Sequence, residues 1–130
     1  MGAALRAVLD TSVLIAAAGP AIEGEVAVSA ASLAELHFGV QQAGDDDVRS
    51  ARLRRLAEVE SRFEVLPVDA QVARSYGALA RRVVSSGAKP RARVMDLLIA
   101  ATAHAHGAVL YTRDRHDFSA ISRDVEVRVV

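Results

Sequence analysis

The 130-residue chain has no cysteine, no tryptophan and a single lysine, Lys89, and its aromatic residues number five. Without cysteine there can be neither disulfides nor thiolate metal sites, so any metal must be held by oxygen or imidazole. With so few aromatics, contact with a nucleic acid would rest on backbone charge and shape more than on base stacking. An excess of either charge is missing too, since sixteen basic residues face sixteen acidic ones. That balance excludes a polycation coating nucleic acid indiscriminately and leaves local patches as the only basic surface. No apolar run approaches the length of a membrane span, and the N-terminus lacks the regions of a signal peptide. The expected location is therefore cytoplasmic, with no membrane partner.

What is present is a large apolar fraction, 52% of residues, enough for one packed core in a single domain spanning 1–130. Apolar runs of strand length alternate with amphipathic runs of helix length, which indicates an α/β fold with a mainly parallel sheet. Five strands are expected, at Leu5–Leu9, Val26–Val28, Glu64–Val68, Ala108–Thr112 and Val125–Val129. Helices are expected at about 11–18, 30–43, 47–62, 70–86, 93–106 and 117–122. Gly19-Pro20, Gly44, Gly87 with Pro90, and Gly107 punctuate them. The acids of "AGDDDV", residues 43–48, suit the start of the next helix.

The stretch "LRAVLDTSVLIAAAG" poses a sharper question, because an apolar strand delivers a carboxylate, Asp10, at its C-terminal end. Ligands of open parallel sheets bind at such ends, where the strand order switches. The fourth strand similarly runs through Thr112 into Asp114 and Asp117, and Glu35 follows the second strand on a helix. Asp96 opens "MDLLIAATAHAHG", apolar on nearly every face, with Ala100, Ala103 and Gly107 continuing its line at helical spacing. If the first strand is central, Asp96 is aimed at Asp10. Acids converging there would repel one another unless a hard divalent cation neutralised them, and an all-carboxylate set selects Mg²⁺ or Mn²⁺ over zinc.

Each acid also has a plainer use. Asp10 before "TSV" is a good N-cap, Ser32 to Glu35 ("SLAE") matches a capping box, Asp114 and Asp117 could cap the last short helix, and Asp96 suits the start of its own. Capping does not explain why they gather at strand ends and on the most apolar helix. His104 and His106 read as terminators of that helix, His37 as a partly buried helical residue, and only His116 lies beside the acids. Arg113 and Arg115 alternate with the acids after the fourth strand, while Lys89, Arg91 and Arg93 precede Asp96, as phosphate contacts or as charge compensation. Tyr111 and Phe118 read as core.

"VLDTSVLIA", "SAASLAELHFGV" and "RVMDLLIAATAHAHGAVLYTRDRHDF" resemble, in order and spacing, the successive motifs of the PIN-domain family, and within it the VapC-like toxins of bacterial type II toxin–antitoxin modules. The resemblance implies a three-layer α/β/α sandwich and a Mg²⁺-dependent endoribonuclease, usually a homodimer, held inactive by a cognate antitoxin in a hetero-oligomer. By motif it makes Asp10, Glu35 and Asp96 the acids of the metal site, Asp114 or Asp117 their completion, and Thr112 and Ser12 the hydroxyls that orient ligands or water. One departure is the short span from Asp10 to Glu35, about two dozen residues, with "GPAIEGE" where relatives often carry a longer helical pair. The competing readings are a catalytically silent PIN scaffold binding RNA or a protein, and an Asp-dependent phosphoryl-transfer domain. The latter is disfavoured because Ser12 stands where the haloacid-dehalogenase type wants a second Asp, and no lysine but Lys89 is available.

Overall fold

The computed structural model describes residues 5–16, 22 and 24–130, the side chains of Leu5, Arg6 and Arg115 excepted. Five strands, β1 (Leu5–Leu9), β2 (Glu25–Ser29), β3 (Glu64–Leu66), β4 (Val109–Thr112) and β5 (Val127–Val129), form one sheet in the order β3-β2-β1-β4-β5. Every pairing is parallel. β1 is thus central, and the strand order reverses beside it, between β1 and β4.

Alternation along the strands divides the core into two layers. Val8, Ala27 and Leu110 face one side, where they pack with buried residues of α4 (Ala70–Ser85) and α5 (Val94–Ala105). Leu9 and Val28 face the other, against α1 (Thr11–Leu14) and α3 (Asp46–Arg62), with Tyr111 half-buried beside them. α2 (Ala30–Gln41) leaves the end of β2 and contacts both α3 and α5. The result is the expected three-layer sandwich, and among the described residues no helix is long and apolar enough to cross a membrane.

Local chemistry sets the boundaries. Asp45 caps α3 by accepting from Val48 N, and Asp69 does the same for α4 from Val72 N. α4 and α5 end on Gly87 and Gly107, both at positive φ, with the next N–H returning to the carbonyls of Val83 and Ala103. Pro90 starts a 3₁₀ turn, Pro90–Arg93, that leads into α5, and Arg115–Ile121 is also 3₁₀ where an ordinary helix at 117–122 is expected from sequence. β3 stops at Leu66 and β5 begins at Val127, each shorter than its apolar run. The helix expected at 11–18 is observed over Thr11–Leu14, while residues 17–18 and most of "GPAIEGE" lie outside the described residues.

Two expectations need correction. The "SLAE" capping box does not exist, because α2 begins three residues earlier: Ser29 is its N-cap and accepts from Ala31 N. β2 ends there, and a hydroxyl at the strand terminus is the first available acceptor. Ser32 and Glu35 are therefore interior helical residues, which removes the capping explanation for Glu35. His37 is exposed rather than partly buried, and its Nε2 lies 3.3 Å from Glu60 on α3.

Candidate active site at the sheet switch point

Asp10 is buried, 5% exposed, at the C-terminal end of the central strand. Its backbone amide still belongs to the sheet, bonding to the carbonyl of Tyr111, while its side chain caps α1 by accepting from Val13 N at 3.2 Å. The cap reading is thus correct but incomplete. Oδ1 also accepts from Ser12 Oγ and Oδ2 from Thr112 Oγ1, both at 2.5 Å. Each hydroxyl that donates to Asp10 accepts in turn from the loop after β4, Ser12 from Arg113 N and Thr112 from Asp114 N. A relay of backbone, hydroxyl and carboxylate fixes Asp10 from two strands, the kind of support that orients a ligand or a reacting group.

Asp96 stands in the first turn of α5, where a carboxylate favours the helix dipole, and it is half-buried. Burial pushes its carboxyl from 3.8 up to about 6, with Asp117, then Glu35, and least Asp10 adding repulsion, while Arg93 pulls it down. Four acids from the end of β1, from α2, from α5 and from the Arg115–Ile121 turn therefore share one electrostatic neighbourhood. Asp114 does not act on Asp96; it is exposed, and its Oδ1 caps the 3₁₀ turn by accepting from His116 N.

Glu35 and Asp117, like Asp10, already have partners. Glu35 accepts from Thr11 Oγ1 at 2.5 Å, and Asp117 meets Arg93 Nη1 at 3.2 Å, the same nitrogen donating to the Asp117 carbonyl at 2.9 Å. Among the described residues no three acidic or histidine side chains converge closely enough to share one ion. The donor chemistry nevertheless fits a hard divalent cation: every candidate is a carboxylate, Asp10 is pre-oriented, and Asp96 carries a repulsion that a cation would relieve. Glu35 and Asp117 each engage their present partner through one carboxylate oxygen, Oε1 and Oδ1, and keep the other. The Arg93–Asp117 pair was not legible in the sequence, where Arg93 stands beside Asp96; the spacing of 24 residues gives no local signal.

The remaining histidines and aromatics play other parts. His104 Nδ1 lies 2.8 Å from Ser75 Oγ, joining α5 to α4 far from the acids, and His116 is exposed beside them. Phe118 is buried core, as expected.

Residues 7–124 match the PIN domain model. The chain belongs to the PIN-domain family. It is 37% identical to Ribonuclease VapC5 of Mycobacterium tuberculosis over 95% of this chain and 93% of that protein, and 36% identical to Ribonuclease VapC4 of the same organism over 94% and 95%. Among solved structures, the VapBC-5 toxin–antitoxin protein from M. tuberculosis superposes with a TM-score of 0.82 at 39% identity, covering 95% of this PIN domain and 97% of that chain.

Proposed function

We propose that this PIN domain is a cytoplasmic, divalent-metal-dependent endoribonuclease, the toxin of a toxin–antitoxin pair. The observation that carries the reading is the neighbourhood of Asp10, Glu35, Asp96 and Asp117 at the switch point of a parallel sheet, in a chain whose relatives over nearly its whole length are named ribonucleases. Asp10 and Asp96 would hold Mg²⁺ or Mn²⁺, with Glu35 and Asp117 completing the set in place of Asp114. The cation would supply charge neutralisation and water activation for in-line attack on a phosphodiester. Ser12 and Thr112 keep the Asp10 carboxylate at a fixed angle, and Arg93 stands at the edge of the acids where a phosphate oxygen can be met.

The partner would be an antitoxin whose cationic segment, most simply an arginine, neutralises the acids in place of the metal. Beside the site, α1, α2 and α3 form a groove of about 540 Å³ with an apolar part made by Ile15, Leu36, Gly39 and Ala51 and a polar part made by Thr11, Glu35, Arg52 and Arg55, and Ile15 is exposed there. Such a surface suits burial against the same partner in a hetero-oligomer of toxin homodimers.

The test is RNA cleavage by the purified protein with Mg²⁺, Mn²⁺, Zn²⁺ or EDTA. Cleavage is expected with Mg²⁺ and Mn²⁺ alone. Full activity in EDTA, or rescue by Zn²⁺ only, overturns the metal assignment, and no cleavage of any RNA favours a silent PIN scaffold.

A further inference from the structure

Next to the acids lies a second concavity of about 360 Å³, bounded by the end of α4, the Pro90–Arg93 turn, α5 and the Arg115–Ile121 turn. Its floor is apolar and buried, made by Val83, Leu97, Phe118 and Ile121. Its rim is polar, with the Ser86 and Ser119 hydroxyls, His116, and the Arg93–Asp117 pair, both of whose members act on Asp96. An apolar slot edged by a few hydrogen-bonding groups, at the small end of ligand-pocket volumes, matches a single planar heterocycle better than a peptide or a duplex.

The charge around the slot is biased. Lys89 and Arg91, between the lining residues Ala88 and Arg93 in sequence, are exposed and pair with no carboxylate among the described residues, whereas Arg82, next to the lining residue Val83, is paired with Asp124. Arg93 contacts Asp117 through Nη1 alone, so Nη2 and Nε have no partner among the described residues. A cationic edge between an apolar slot and the acids is complementary to a base joined to a phosphate.

We propose that this concavity is a nucleotide subsite, taking one unstacked base of single-stranded RNA with its phosphate on Arg93 and thereby setting which bond lies over the acids. The proposal rests on the ribonuclease reading for its substrate but not for its geometry.

The test uses the whole chain with methyl groups labelled for NMR, in EDTA, titrated with each of the four 5′-nucleoside monophosphates and with inorganic phosphate. At least one nucleotide should shift the methyls of Ala88, Leu97, Ala120 and Ile121, and phosphate should not. Ala88→Trp and Ala120→Trp fill the slot from two exposed wall positions. Each should abolish those shifts and raise KM for RNA by about tenfold while kcat stays within about twofold. Nucleotides that leave the slot methyls unmoved, or filled variants that cleave with the parental KM, overturn the subsite. A parent that shows the shifts but cleaves no RNA with Mg²⁺ or Mn²⁺ upholds the subsite and overturns the ribonuclease reading instead.

Discussion

Thr112 Oγ1 and Asp10 Oδ2 lie 2.5 Å apart and join the end of β4 to the end of β1 across 102 residues of chain. Both residues are buried, so water cannot replace the bond if it is lost. Thr112→Val keeps the shape and removes the donor, leaving a buried carboxylate oxygen unpaired. The expected loss of stability is about 1–3 kcal/mol, read by urea unfolding, with Thr112→Ser close to the parent. Equal losses in both variants would show that packing of the methyl group, not the hydroxyl, matters.

Asp96 gives a pH signature in metal-free buffer. Its folded carboxyl titrates near 6 rather than 3.8, so the stability it contributes is fully present below about 3.8 and is lost as pH rises through about 6. Asp96→Asn removes that loss. In EDTA the variant should match the parent near pH 4 and melt at a higher temperature at pH 7.5, while Mg²⁺ should raise the melting temperature of the parent more than that of the variant. A constant difference between the two proteins across this range would contradict the burial and repulsion assigned to Asp96.

Asp10→Asn separates cap from ligand. Asn serves as an N-cap about as well as Asp, so α1 should persist, while the amide nitrogen in place of Oδ2 can no longer accept from Thr112 Oγ1 and stability should fall by about 1–3 kcal/mol. RNA cleavage with Mg²⁺ should fall by orders of magnitude, because the charge that holds the cation is gone. Parental cleavage by this variant would leave Asp10 as a cap and nothing more.

Arg93 and a metal ion compete for the same acids. Arg93→Gln should raise Mn²⁺ affinity several-fold in calorimetric titration and lower the melting temperature in EDTA, since Asp117 and Asp96 lose their cation. Unchanged Mn²⁺ affinity would place Arg93 outside the electrostatic reach of the binding site.

Ser32 supplies an independent check on the core. It is fully buried on α2, and its Oγ has no hydrogen-bond partner among the described residues. Ser32→Ala removes an unsatisfied hydroxyl without changing the helix and should stabilise the protein by up to about 1 kcal/mol. Destabilisation by a similar amount would reveal a bonding partner for that hydroxyl.

The positions of strands and helices were legible because their signals are local. The run "RAVL" ends at a carboxylate, Gly87 and Gly107 stop helices, and "DDD" starts one. Strand ends at β3 and β5 were less so, since apolar residues continue past the last ladder bond at each edge of the sheet. "SLAE" misled because a capping box is read from four residues, whereas the start of α2 is decided by where β2 stops pairing, at Ser29. At the site, residue type and strand position pointed to Asp10, Glu35, Asp96, Asp114 and Asp117 as a group, with the choice between the last two left open. Ser12 and Thr112 entered only through the family resemblance, and the Thr112–Asp10 bond, the Thr11–Glu35 bond and the Arg93–Asp117 pair depend on rotamers and on contacts 24 to 102 residues apart, which no local pattern encodes.

The central place of β1 also governs when the acids can come together during synthesis of the chain. β1 finds its first neighbour early, when residues 25–29 emerge, but its other edge pairs only with residues 109–111. Asp117, which follows β4, cannot be set against Asp10 before that late strand docks, and non-local pairing of this kind is slow. On the ribonuclease reading, a nascent chain or one terminated before β4 lacks Asp117 and the Thr112 hydroxyl that orients Asp10. The time between release of the chain and closure of β4 onto β1 is then the interval in which an antitoxin can capture its target before any RNA is cut.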